Sequence, residues 1–241
     1  MIIKNILAPK VAGTHSAEEI IFRRGVGDLY TEIRDVIMKT ELLITDTPRE
    51  EGDTRFKKLP SAINRSLGES LTSLGWKPRQ APGAAGALST SDWAKVRPSG
   101  LKYMGNIGIA LEVQLGNHYQ FHADVQRLGE AILQGEIIAG ISIVPSDRFA
   151  LYKADRGASF SNASEKLERW IGLWVASGAI LLPSIMILAI EFDGFINLPE
   201  PGFRIKYPLY DPVNAIEPIE WREMSGLEGK TSKSKPSKPA N

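Results

Sequence analysis

The sequence predicts an α/β fold, with a mixed central sheet flanked by helices. Three observations predict it. Apolar residues recur at helical spacing in several separate segments. Two short, continuous apolar runs, "EIIAGISIV" and "SIMILAIEF", have the composition of buried strands. Between them and the first helices lies "GIALEVQLGN", residues 108–117, which alternates like a strand and is followed at once by a helix. Helices and strands in this order bury a sheet between helical layers.

Taken in order, residues 16–39 read as helical, with Leu29, Ile33, Val36 and Ile37 on one face. A polar stretch with Pro48 and Gly52 reads as a loop. The second helix, about 59–74, aligns Ile63, Leu67, Leu71 and Leu74, and Gly75 is placed to stop it. A Gly/Ala/Pro-rich loop follows a short strand beginning at Trp76. Residues 93–96 alternate again, and "LKYM", "GN" and "IGIALEVQL" form a candidate hairpin. The next helix places Phe121, Val125, Leu128 and Ile132 on one stripe. After the strand "EIIAGISIV" come a helix over 164–177 and a strand over 184–192. The expected organisation is a single domain over 1–224: N-terminal helices at 16–75, a core at about 76–193 and an irregular segment at 194–224 that wraps the surface or forms short edge strands. A disordered basic tail at 225–241 completes the chain.

Composition narrows the chemistry. The 241 residues contain no cysteine, which removes disulfides, thiolate nucleophiles and cysteine zinc sites. A cytoplasmic setting is the matching expectation, since "MIIKNILAPK" is too short an apolar segment for a signal peptide. The uncharged run at 171–190 imitates a membrane span, but Pro183 and Ser184 fall inside it; a helix, a turn and a core strand explain it better, and no membrane is expected as a partner. A net charge of +1 neither requires nor excludes nucleic acid.

The informative residues are Glu112 and Gln114. They lie two apart on the strand and point the same way. At a sheet margin such residues simply meet solvent. On a central strand a carboxylate must be paired, solvated in a cleft or bound to a metal. An acid and a polar residue at this spacing suit a nuclease: the acid holds a divalent ion, the second residue holds the attacking water, and both face the scissile phosphate.

"GIALEVQLGN" followed by "YQFHADVQRL" resembles the type II restriction endonucleases related to BglII and BstYI, of the PD-(D/E)xK nuclease superfamily. In that family glutamine replaces the usual lysine, giving E-x-Q, then glycine and a helix bearing aspartate; here these are Glu112, Val113, Gln114, Gly116 and Asp124. Gly75-Trp76 upstream and "IIAGISIVP" downstream resemble further family elements. The resemblance implies a restriction-endonuclease-like core and magnesium-dependent hydrolysis of double-stranded DNA at a short palindrome. It also implies an extra metal ligand in the Val113 carbonyl. A cognate DNA methyltransferase would act on the same site without needing to bind the enzyme. A palindrome has two scissile phosphates, and the chain has no internal repeat, so a homodimer is expected.

One element of the pattern is missing. The family carries an aspartate across the hairpin from the glutamate, and the corresponding position here is near Tyr103, in "LKYMGN", which has no acid. Asp92 would serve as the ligand if the hairpin is longer; Glu69 is the other acid weighed, although it lies opposite its helix's apolar stripe. The gap keeps open a second reading, a DNA-binding homologue that has lost cleavage. Lys95, Arg97 and Lys102, together with His118, are the expected phosphate contacts, against the plainer reading of a solvated basic face. His118 and His122 imitate a zinc pair but lack the intervening acid of the peptidase motif.

Overall fold

The structure, a computed structural model, describes residues 1–11, 14–47, 58–78, 91–99, 106–115, 120–152, 159–177, 184–213 and 217–227. In chain order its elements are β1 (Ile2–Leu7), α1 (Ala17–Arg23), α2 (Gly27–Lys39), β2 (Glu41–Ile44), α3 (Leu59–Ser73), β3 (Lys77–Pro78), β4 (Trp93–Pro98) and β5 (Asn106–Val113). They continue with α4 (Phe121–Leu133), β6 (Ala139–Pro145), α5 (Asp147–Ala150), α6 (Phe160–Ala176), β7 (Ile185–Glu191), β8 (Gly194–Phe195), β9 (Gly202–Tyr210) and β10 (Pro218–Leu227).

The main sheet has six strands in the order β1-β7-β6-β5-β4-β3. Its centre, β5, β6 and β7, is parallel, and β1 and β4 flank it antiparallel. Central parallel strands are covered on both faces, which is why "GISIV" and "IMILAI" read as unbroken apolar runs. One face, carrying Ile109, Leu111, Ile141 and Leu188, packs on α2, α3 and a second sheet. The opposite face, carrying Ala110, Val144 and Ile187, packs on α4 and α6 through Val125, Leu128 and Leu167. The mixed sheet with helices is the fold the sequence predicts.

Several elements differ from expectation. The helix read over 16–39 is two helices, because Gly25 adopts a positive φ of 74° between them. α1 begins with a capping box, in which the Ser16 side chain accepts from the Glu19 backbone and the Ser16 N–H donates to the Glu19 carboxylate. α3 stops where predicted: Gly75, at φ 84°, lets its N–H reach the Thr72 carbonyl and the Trp76 N–H reach that of Leu71. The segment after Asp193, expected to be irregular or to form short edge strands, forms β8, β9 and the long strand β10. These build a four-stranded sheet in the order β10-β9-β2-β8. α3 is clasped to it by the Ser70 hydroxyl donating to the Pro208 carbonyl at 2.6 Å. The uncharged run at 171–190 supplies the end of α6 and then β7. Among the described residues no helix is long and apolar enough to cross a membrane. The tail expected from Ser225 begins later, because Ser225, Gly226 and Leu227 belong to β10 and pair with β9; the residues beyond Leu227 lie outside the described ones.

Candidate active site

The site forms where β5 runs out. Glu112, 2% exposed, shares a sheet face with Ala110, so its side chain points toward α4. Gln114 follows two residues later, after the strand has ended, and is also buried. Its backbone N–H still donates to the Ile143 carbonyl at 2.8 Å, so the chain stays attached to β6 beyond the last strand residue. This holds the Gln114 backbone as firmly as the strand holds Glu112.

The acid that stands across the hairpin from Glu112 is Asp92. β4 pairs with β5 in a register of Trp93 to Leu111 and Ala94 to Ala110, and one residue further Asp92 stands beside Glu112. The Asp92 carboxylate accepts from the Val113 N–H at 2.9 Å, which fixes it against the strand between Glu112 and Gln114. The strand that pairs with β5 is β4, residues 93–98. Tyr103 itself lies outside the described residues.

Two further residues come from α4. Asp124 and Arg127, three apart, fall on the helix face turned toward the end of β5. The Asp124 carboxylate, almost fully buried, accepts from the Gln114 amide nitrogen and from Arg127. The Arg127 guanidinium also reaches Glu112, with Nε and Nη2 each 3.3 Å from Oε1. Arg127 thus bridges the strand acid to the helix acid. Sequence reading noted Asp124 only as part of the family pattern and did not single out Arg127. A signal was present: Asp124 stands three residues after Phe121 and one before Val125, within the helix's inward stripe, where a carboxylate needs a partner.

Electrostatically the site is short of positive charge. Burial, reinforced by the nearby Asp92 and Asp124, pushes the Glu112 carboxyl up to about 8, and Arg127 only partly offsets this. Burial also raises Asp124, against the hydrogen bond from Gln114 and the charge of Arg127. Burial opposes the Arg127 charge, but Glu112 and its neighbours outweigh it and hold the guanidinium above its usual range. Beside Glu112, at its register partner on β6, the fully buried Ser142 hydroxyl has no hydrogen-bond partner among the described residues. The neighbouring carboxylates of Asp92, Glu112 and Asp124 are the oxygen ligands here that could hold a hard divalent cation. As the side chains stand, no three carboxylates or imidazoles among the described residues are gathered around one point, and Arg127 takes up the charge of Glu112 and Asp124.

The expected phosphate contacts fare differently. Lys95 and Arg97 pair with Ile109 and Ile107, so they project from the face of the sheet opposite Glu112. There Lys95 is bound to Glu32 at 2.8 Å and to the Leu74 carbonyl at 2.7 Å, and Arg97 to Asp28 at 2.7 Å. They join β4 to α2 rather than flank the site, because strand alternation turns odd-numbered residues of β4 away from Asp92. Lys102 and His118 lie outside the described residues. Glu69 is on α3, held by Arg65 at 2.8 Å and by the Tyr207 hydroxyl at 2.7 Å, and takes no part in the site. His122 accepts at Nδ1 from the Trp170 indole at 2.5 Å, which ties α4 to α6.

A search of curated proteins finds no match to the chain. The family model described as restriction endonuclease BglII/BglIII matches residues 10–175, a stretch that begins before α1, ends in α6 and includes Asp92, Glu112, Gln114, Asp124 and Arg127. A match over this much of the chain, on a mixed α/β fold whose strand acid and amide share one face, establishes that the chain belongs to the BglII/BglIII family of restriction endonucleases, site-specific deoxyribonucleases of double-stranded DNA.

Proposed function

We propose that the protein is a type II restriction endonuclease that hydrolyses DNA phosphodiesters within a short palindrome, with magnesium as cofactor. The observation that carries this reading is the placing of Asp92 beside Glu112, with Gln114 on the same side of the strand end. Asp92, Glu112 and the Val113 carbonyl would hold the ion. Bound there, the ion would supply Lewis-acid activation of water and neutralise charge on the phosphate.

The protein's own residues do the rest. Gln114 donates its amide nitrogen to Asp124, so its carbonyl oxygen is the end turned to a water. That oxygen accepts a hydrogen bond and aims the water's lone pair at phosphorus. A new P–O bond forms as the ester P–O bond breaks, and the proton the attacking water gives up to solvent is balanced by the one the leaving oxygen takes up from it. Burial of Glu112, Gln114 and Asp124 excludes competing solvent and strengthens each of these contacts. A methyltransferase modifying the same sequence would protect resident DNA without contacting this chain.

The alternative of a DNA-binding homologue without cleavage draws on the absence of an acid near Tyr103; the position of Asp92 beside Glu112 supports the cleaving reading over it. The two readings part in one assay. Purified protein is incubated with varied unmethylated plasmid DNA and magnesium, beside Glu112→Ala and a chelator control. Discrete fragments from the wild type alone are expected. Glu112→Gln should lose cleavage yet still bind its duplex in calcium. Absence of cleavage under every divalent metal, or full activity in Glu112→Gln, would overturn the reading.

A further inference from the structure

We propose that Arg127 is the resident counter-cation of this site and is exchanged for the divalent ion when that ion binds. The proposal rests on the metal-dependent reading above. Its basis is the unequal anchoring of the cluster. The side chains of Glu112 and Asp124 are 2% and 3% exposed, one on a central strand and one on the inner face of α4, whereas that of Arg127 is 27% exposed. Glu112 and Asp124 are held by the elements that carry them. Arg127 reaches in from the rim on a long, flexible stem, so it is the member able to leave.

Its position explains why it must leave. The guanidinium contacts Glu112 Oε1 through two of its nitrogens and Asp124 Oδ1 through one. These are the same kind of oxygen that a hard divalent ion needs. A guanidinium and a divalent cation on one carboxylate oxygen repel each other at short range in a poorly solvated site. Cation binding at Glu112 therefore costs Arg127 at least its contact there. Without the ion, Arg127 solves the opposite problem. Asp92, Glu112 and Asp124 crowd the end of β5, and a buried carboxylate without a partner is strongly destabilising. The arginine thus makes the ion-free protein tolerable by offsetting the charge of Glu112 and Asp124 until the ion arrives. Once released, a rim arginine at the same edge presents a planar fork of donors that matches a phosphate.

A permanent strut would behave differently, and a binding experiment separates the two. Manganese alone is titrated into the full chain without DNA, and free ion is read from its electron paramagnetic resonance signal. Arg127→Met, which keeps length and removes charge, should bind manganese about tenfold more tightly than wild type, the equivalent of roughly one charge-assisted hydrogen bond no longer surrendered. Arg127→Lys keeps the charge but cannot bridge both acids and should fall between; it carries the comparison if the methionine variant misfolds. In the wild type, the ¹⁵Nε–H resonance of Arg127 should move on adding magnesium, and should stay in place in Glu112→Gln. Equal or weaker manganese affinity in both Arg127 variants, or an unmoved resonance while the ion is bound, overturns the exchange and leaves the metal reading intact. No ion bound by wild type or either variant overturns both.

Discussion

Asp124 decides which way the Gln114 amide faces. A carboxylate only accepts, so the Gln114 nitrogen must turn toward it and the carbonyl oxygen away. Replacing Asp124 with asparagine removes that constraint, because an amide can accept or donate, and it removes one of the two anions that hold Arg127. Asp124→Asn should therefore lower the single-turnover cleavage rate by about 10- to 100-fold, the usual scale for a residue that orients a group in direct contact with the chemistry. A rate within twofold of wild type would show that the amide needs no such guide. At this scale the sequence revealed the site unevenly. Glu112 and Gln114 were legible because strand alternation alone puts them on one face. Asp92 was only half legible, since its place beside Glu112 depends on the length of the connection before β5, which no local pattern sets. Arg127 was not legible, because its role arises from a helix and a strand meeting in space.

Between β6 and α4 the fold allows an unusually close approach. A Cβ on Gly140 would lie 2.9 Å from the Leu128 Cβ and 3.1 Å from its Cδ1. Since one of these atoms is a helix Cβ rather than the far end of a side chain, relief requires α4 itself to move. Asp124 and Arg127 ride on that helix, one turn before Leu128 and immediately beside it. Gly140→Ala should cost about 1–3 kcal/mol by urea denaturation. It should also slow cleavage by roughly tenfold or more, because sub-ångström displacement of a catalytic group is costly. Normal stability and rate together would mean that α4 accommodates the methyl without shifting the site. The glycine in "IIAGISIV" reads locally as a weak strand position, and only packing gives it meaning. The same limit explains the second sheet. β6 and β7 were legible as continuous apolar runs, whereas β2, β9 and β10 alternate weakly and gain their strand character from pairing with one another.

For the whole molecule, the palindrome reading demands two copies of the site, and the chain supplies one Glu112–Gln114 strand end. A two-fold pair of identical subunits matches the symmetry of the duplex. Among the aromatic residues after Asp193, Phe203, Tyr207 and Tyr210 are buried in their own subunit, whereas Phe195 and Trp221 are exposed. α6 offers a more exposed apolar side chain, Leu173, 57% exposed on the helix that packs with α4 over the site's side of the sheet. Val175 is also exposed but, two residues on, points to the other side of the helix. Light scattering at micromolar concentration, with and without a cognate duplex, should therefore give the mass of two chains. Leu173→Asp should shift it toward one and convert double-strand cleavage into slow nicking, while leaving the fold intact by circular dichroism. A strict monomer on the duplex that still cuts both strands in one binding event would show the dimer to be wrong. A dimer unaffected by Leu173→Asp would move the interface away from α6.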